Sequence, residues 1–239
     1  MAAATLLVVS AHAADFVWRC SGTIAVYKQR GSRVRLFVLS FGERGESAEQ
    51  WKQPGATLAK VKANRHEESA AAATVLGLAD DVRFFDLGDY PMPLYDAGLQ
   101  TREGIPENAL KLEALMKVHP GIFIACPEYN ASITPLLKNS LDWVSRIKTE
   151  GEPPLAVFKS RVFALGSSSP GGMGGLRGLN TVRTVLELGT GALVLPDQFA
   201  VPRAAEAYDE HGHLKSKDAQ EQFKGLIQKL ARAAHVLHG

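Results

Sequence analysis

Gly121 to Trp143, GIFIACPEYNASITPLLKNSLDW, constrains the fold more than any other stretch of this chain. The apolar run Ile122 to Cys126 reads as a strand buried on both faces. Pro127 ends the strand, because it brings no N–H to a ladder. Glu128, Tyr129 and Asn130 follow as a polar, aromatic turn. Pro135 suits the first turn of a helix, where its missing N–H would be unpaired anyway. Leu136, Leu137, Leu141 and Val144 are then spaced to face a sheet. Strand, turn and helix in this order place backbone N–H groups and a tyrosine at the carboxyl edge of an α/β sheet, where ligands bind.

The rest of the chain repeats that alternation. Strands are expected at Thr5–Ser10, Val34–Ser40, Val82–Leu87, Ile122–Cys126, Val162–Leu165 and Ala192–Leu195. Helices are expected at Asp15–Gln29, Thr57–Leu76, Glu107–Val118, Leu176–Leu188 and Glu221–Leu237, besides the one opened by Pro135. Phe41–Gly55 reads as a long polar loop, either a lid or a solvated excursion, and Tyr90–Pro106 as an irregular Pro/Gly connection. Six strands alternating with helices imply an α/β fold with a doubly wound parallel sheet, three layers deep and Rossmann- or flavodoxin-like. The expected strand order is 3-2-1-4-5-6, with a crevice between strands one and four. The chain of 239 residues is read as a single α/β domain, 1–239.

Composition narrows the partners. Lys and Arg number 27 against 25 Asp and Glu, a net charge of +2, which points to neither nucleic acid nor an anionic membrane. Two cysteines, Cys20 and Cys126, make no disulfide framework and favour a reducing cytoplasm. No apolar run reaches the length of a membrane span. TLLVVSAHAAD has too short an apolar core, and no preceding Lys or Arg, for a signal peptide; it reads as the first strand.

PEYN followed by LKNxxDW, with MPLYDAG (Met92 to Gly98) upstream and RVFALGSSSPGGMGGLR (Arg161 to Arg177) downstream, resembles the NAD(P)H-dependent FMN reductases, which include quinone and chromate reductases. The resemblance covers about residues 90–235. It implies FMN as cofactor, NAD(P)H as co-substrate, a small-molecule electron acceptor, and a homodimer or homotetramer. It also implies the cofactor-binding residues Pro127, Glu128, Tyr129, Asn130, Ser167, Ser168, Gly171 and Gly172. Backbone N–H groups around Glu128 to Asn130 would meet the flavin's polar edge, Tyr129 would wall the site, and the glycines would let backbone approach the ring. Lys138 and Asn139 are expected to serve helix surface and capping, with Asp142 and Trp143 at a subunit contact. Arg177 is expected to meet a phosphate or an acidic neighbour across a dimer.

Residues 4–91 have a different likeness. LLVVSAHAADFVWRCSGTIA, LSFGERGESAEQW and DLGDYP resemble the amino-terminal part of PIG-L/LmbE-type zinc enzymes, in the subgroup of 4-oxalomesaconate hydratases. By position, His12 and Asp15 match two zinc ligands of that family, while Ala14 stands where its catalytic base would be. The chain therefore reads as a chimera or fusion, an LmbE-like half at 1–91 and an FMN-reductase-like half at 92–239, joined near Asp86 to Pro93. Beside flavin chemistry, two alternatives follow: a zinc-dependent hydratase or hydrolase using His12 and Asp15, with Glu128 recruited as ligand or base, and a folded scaffold with impaired catalysis. If Asp15 lies about 5 Å from the flavin phosphate, each phosphate charge is repelled by about 3 kcal/mol at an effective dielectric near 20. Weaker FMN binding than in the family is expected.

Overall fold

A computed structural model describes residues 5–10, 33–38, 48–61, 63, 64, 67, 90–207 and 214–238. The expected third strand, Val82–Leu87, and the expected helix Asp15–Gln29 lie outside the described residues, and the helix expected from Thr57 is described only in part.

Five strands form one parallel sheet: β1 (Thr5–Ser10), β2 (Arg33–Val38), β3 (Gly121–Ala125), β6 (Val162–Ser168) and β7 (Leu193–Val201). A two-residue antiparallel ladder, β4 (Glu128–Tyr129) with β5 (Ser132–Ile133), stands apart from it. The sheet order is β2-β1-β3-β6-β7. This is the expected order for all strands described. It reverses between β1 and β3, whose register pairs Val8 with Phe123 and Val9 with Ile124.

Each element has a local cause. All five residues of β3 are buried, as a central parallel strand requires. Helix α4 (Pro135–Val144) starts with Thr134, whose Oγ1 accepts the Leu137 N–H at 3.3 Å, and with Pro135 in its first turn. Helix α3 (Glu107–Lys117) precedes β3. Helix α6 (Leu176–Thr184) continues as a π-helical segment, Val185–Thr190. Helices α3, α4 and α6, with the short α5 (Ala156–Lys159), cover one sheet face through Leu112, Leu137, Leu141, Phe158, Leu179 and Val182. Helix α8 (Lys217–His238) covers the other face, and Phe223 meets Phe123 edge-on at 5.6 Å.

Several boundaries differ from expectation. The Phe41–Gly55 loop contains a helical turn, α1 (Ala48–Trp51). Tyr90–Pro106 is not wholly irregular: α2 (Ala97–Glu103) is capped by Asp96, whose carboxylate accepts the Leu99 N–H at 2.7 Å, and is stopped at Gly104. Strands β6 and β7 each run further toward the carboxyl edge than the apolar runs suggested. Strand β7 tolerates Pro196 because the β6–β7 register jumps there, from Phe163 paired with Val194 to Leu165 paired with Gln198. A last short helix, α7 (Ala204–Ala207), follows β7.

Trp143 does not wait for a subunit contact. Trp143 is 0% exposed within the single chain, packed edge-on against Tyr95 with ring centroids 5.1 Å apart. Asp142 pairs with Lys138 at 2.7 Å, one helical turn away. Asn139 does more than cap: its Oδ1 accepts the Tyr95 N–H at 2.8 Å, and its Nδ2 donates to the Pro93 carbonyl at 3.1 Å. The NxxxW spacing of α4 thus grips the Met92–Tyr95 segment.

Candidate functional site

The parallel sheet sends β3 and β6 out at the same edge, so the segments that follow them lie side by side. After β3, Pro127 leads into the β4–β5 hairpin. Its turn is Asn130 (φ 49°) and Ala131 (φ 66°), both left-handed, which matches the type I′ turns that suit a two-residue hairpin. Ala131 carries a Cβ in a region that disfavours one. Tyr129 is 54% exposed on this hairpin.

After β6 comes the Ser/Gly loop. Ser167 is buried, and its Oγ donates to the Gly174 carbonyl at 2.6 Å. Its hydroxyl is thereby committed to shaping the loop. Ser169 N–H donates to the Val201 carbonyl at 3.1 Å, and Arg203 N–H donates to the Gly171 carbonyl at 3.2 Å. A Cβ on Gly174 would lie 2.7 Å from the Pro202 nitrogen, and one on Gly175 would lie 2.7 Å from Ser167 Oγ. Both have positive φ, so these two glycines are the ones the loop requires. Gly171 and Gly172 are exposed, and a Cβ on Gly172 would meet nothing within 4 Å. Ser168 Oγ is buried and has no hydrogen-bond partner among the described residues.

Glu128 joins the two segments. Its Oε1 accepts from Arg177 Nε at 3.0 Å and from Arg177 Nη2, and its Oε2 accepts the Gly178 N–H at 3.1 Å. The Arg177 hydrogen bonds, with help from the Gly178 N–H, hold the Glu128 carboxyl below the usual range against the opposing effect of burial. The acidic partner of Arg177 therefore comes from its own chain. A carboxylate held ionised in this way is a poor general base.

Cys126 is buried, and burial, with the Glu128 charge adding, pushes its thiol up to about 12. It has no thiolate for chemistry near neutrality. His119 is buried at the opposite, amino-terminal edge of the sheet, with Nδ1 2.7 Å from the Leu115 carbonyl. Among the described residues no cluster of three or more His, Cys, Asp or Glu side chains could hold a metal ion. His12 and Asp15 lie outside the described residues, as does the rest of the segment after β1.

The structure brings Glu128 against Gly175, Arg177 and Gly178. Pro127, Tyr129 and Asn130 adjoin it in the segment after β3, while Ser167 and Ser168 end β6 and Gly171 and Gly172 lie on the loop that follows. Sequence reasoning missed Gly174, Gly175 and Gly178. Their signal was present in GGxGGxRG, where the glycines facing protein are not told apart from those facing outward.

Two kinds of known protein resemble this chain. The family described as NADPH-dependent FMN reductase matches residues 58–206. That match begins upstream of the junction expected near Asp86 to Pro93. Over 95 residues the chain is 37% identical to a quinone reductase of Escherichia coli, covering 40% of this chain and 47% of that protein. Over 86 residues it is 57% identical to the 4-oxalmesaconate hydratase of Pseudomonas putida, covering 36% of this chain and 33% of that one. The chain thus spans a third of the hydratase and about half of the quinone reductase. The flavoenzyme NAD(P)H:acceptor oxidoreductase FerB of Paracoccus denitrificans superposes with a TM-score of 0.52 at 22% identity, over 70% of this chain and 88% of that one. That likeness shows the same flavodoxin-like fold. The chain carries a hydratase-like segment as well, and by the extent of its match it belongs to the NADPH-dependent FMN reductase family.

Proposed function

We propose that the chain binds FMN and uses NAD(P)H to reduce small acceptors such as quinones, free flavin or oxidised metal ions. The observation that carries this reading is the docking of the Tyr129 hairpin, through Glu128, on the end of the Ser/Gly loop at Gly175 and the start of α6, beside the point where the sheet order reverses, the place where such folds bind ligands. The residues fit a flavin ring. Tyr129 offers an exposed aromatic face, the loop is open above Gly172, and the buried Ser168 hydroxyl has a hydrogen bond still to make. Pro127, Glu128 and Asn130 place the hairpin, and Ser167 and Gly171 place the loop. When bound, FMN would supply the redox chemistry, taking hydride from NAD(P)H and passing electrons to the acceptor. This chain's own part is to seat the ring, shield one face of it and hold fixed dipoles against its polar edge.

The flavin phosphate would fall to the segment after β1, whose sequence carries Asp15; a carboxylate close to the phosphate would make FMN bind more weakly than in relatives with a neutral loop. A zinc-hydratase reading has the sequence likeness of residues 4–91 behind it, but Glu128, its recruited ligand or base, is already engaged by Arg177 and Gly178. We read residues 1–91 and 92–239 as two ancestries within one sheet, since β1 and β2 pair into the same ladder as β3. Assembly as a homodimer or homotetramer, and residence in a reducing compartment where Cys126 stays a free thiol, belong to the same proposal. Among the described residues no helix is long and apolar enough to cross a membrane. The deciding experiment is a visible absorption spectrum of the purified protein before and after incubation with FMN and desalting. A retained flavin band supports the reading. A protein that stays colourless overturns it.

A further inference from the structure

Building on the flavin reading, we propose that Glu128 and Arg177 are positioning residues: their ion pair fixes the spacing between the Tyr129 hairpin and the Ser169–Gly175 loop, the two walls of the ring's seat. Glu128 is the first residue of β4, and Arg177 is the second residue of α6. The Glu128 side chain is only 7% exposed while that of Arg177 is 54% exposed. A carboxylate so covered by its neighbours gives up water contacts and takes protein donors in their place. It finds three donors, two on Arg177 and one on the Gly178 backbone, all from the first turn of α6, where the helix dipole also favours a negative charge.

The helix and the hairpin meet without intervening side chains. A Cβ on Gly178 would stand 3.3 Å from Glu128 Cβ and 3.4 Å from the Ser132 carbonyl. On its other side the start of α6 is fixed to β6, because Gly175 packs on Ser167 and the Ser167 hydroxyl holds the Gly174 carbonyl. A continuous line of contacts therefore runs from β6 through the loop and α6 to the hairpin. Glu128 is its polar joint. Without the carboxylate, the hairpin would keep the close approach at Gly178 and the buried Ile133 but lose its polar tie to α6, and its turn already sits on two left-handed residues, Asn130 and Ala131.

The test is amide hydrogen exchange on the full chain without flavin, for wild type, Glu128→Ala, Arg177→Met and the double variant. Each single change is expected to speed exchange about tenfold at both the Tyr129–Ile133 and the Ser169–Gly175 amides, and the double variant no more than either single. Faster exchange confined to one segment, or single effects that add in the double variant, would overturn the joint. If Glu128→Ala does not fold, Glu128→Gln, which keeps the shape and one of the two acceptor oxygens but not the charge, gives the same readout at smaller size. FMN titration then separates the two readings. A dissociation constant raised about tenfold in the variants, with Glu128→Gln between them and wild type, supports positioning. Wild-type binding matched by Glu128→Ala overturns it. Coupled exchange in a wild-type protein that binds no FMN leaves the joint standing and removes the flavin reading instead.

Discussion

Trp143 Nε1 donates to the Pro93 carbonyl at 2.7 Å, tying the last turn of α4 to a segment fifty residues earlier. The same carbonyl accepts from Asn139 Nδ2, and the Tyr95 ring, edge-on to Trp143, is covered by Arg146, whose guanidinium carbon lies 5.3 Å from its centroid. The contact joins a fully buried indole to a stretch of chain with no secondary structure to hold it. Trp143→Phe is expected to lose about 1 kcal/mol for the hydrogen bond, with some packing besides. Trp143→Ala should lose about 3–5 kcal/mol through the cavity it leaves. Urea unfolding with unchanged slope and a lowered midpoint is the measurement, and a midpoint unmoved in Trp143→Ala would contradict the packing described.

Ala131 in the hairpin turn has φ 66°. It is exposed, so its conformation comes from the turn and not from burial. Ala131→Gly should relieve the strain and raise stability by about 0.5–1 kcal/mol, read as a higher melting temperature. The opposite substitution at Gly174 should be severe, because its Cβ would press on the Val201–Pro202 backbone at 2.7 Å. Gly174→Ala is expected to lower the melting temperature and to impair flavin retention together, while Gly172→Ala, facing open space, should leave the melting temperature unchanged.

What the sequence could and could not disclose follows from the range of the forces involved. Strand β3 and helix α4 were legible because an apolar run, a proline that ends it and a proline that starts a helix all act within a few residues. The two-turn helix Ala97–Glu103 was not, because it buries none of its residues and so carries no apolar period; only its caps, Asp96 and Gly104, speak for it. Arg177 was legible as a cation in want of an anion. Its partner lies 49 residues away, and the pairing depends on β3 and β6 being neighbours in the sheet. The role of Trp143 was misplaced for the same reason, since its partners are remote in the chain. The segment after β1, with His12 and Asp15, remains an expectation of sequence likeness alone.

The Glu128 pairing also sets a pH dependence. Its carboxyl is held below the unfolded value, first by the Arg177 hydrogen bonds, so the native state binds fewer protons than the unfolded chain in that window. The contribution is fully present above the unfolded pKa, and it is lost as pH falls through the folded one. Wild type should therefore lose stability on acidification more steeply than Glu128→Gln, whose amide does not titrate. Chemical unfolding across about pH 3 to 6 checks this, and parallel curves for the two proteins would count against the pairing.

Cys126 makes the opposite prediction. It is 1% exposed, and its thiol is pushed up to about 12, chiefly by burial. A raised thiol pKa means that the native state keeps its proton where the unfolded chain has lost it, so stability is complete below the unfolded value and declines as pH rises toward the folded one. Since the chain has only one other cysteine, Cys20→Ser leaves Cys126 as the sole thiol. In that background Ellman's reagent at about pH 8 should label the native protein only as fast as it opens, and denaturant should release the full signal. Between about pH 8 and 10 the same background should lose stability that a further Cys126→Ala change does not. Rapid labelling of the folded protein would show a thiolate in contact with solvent, which a thiol beneath Pro127 at the end of β3 does not allow.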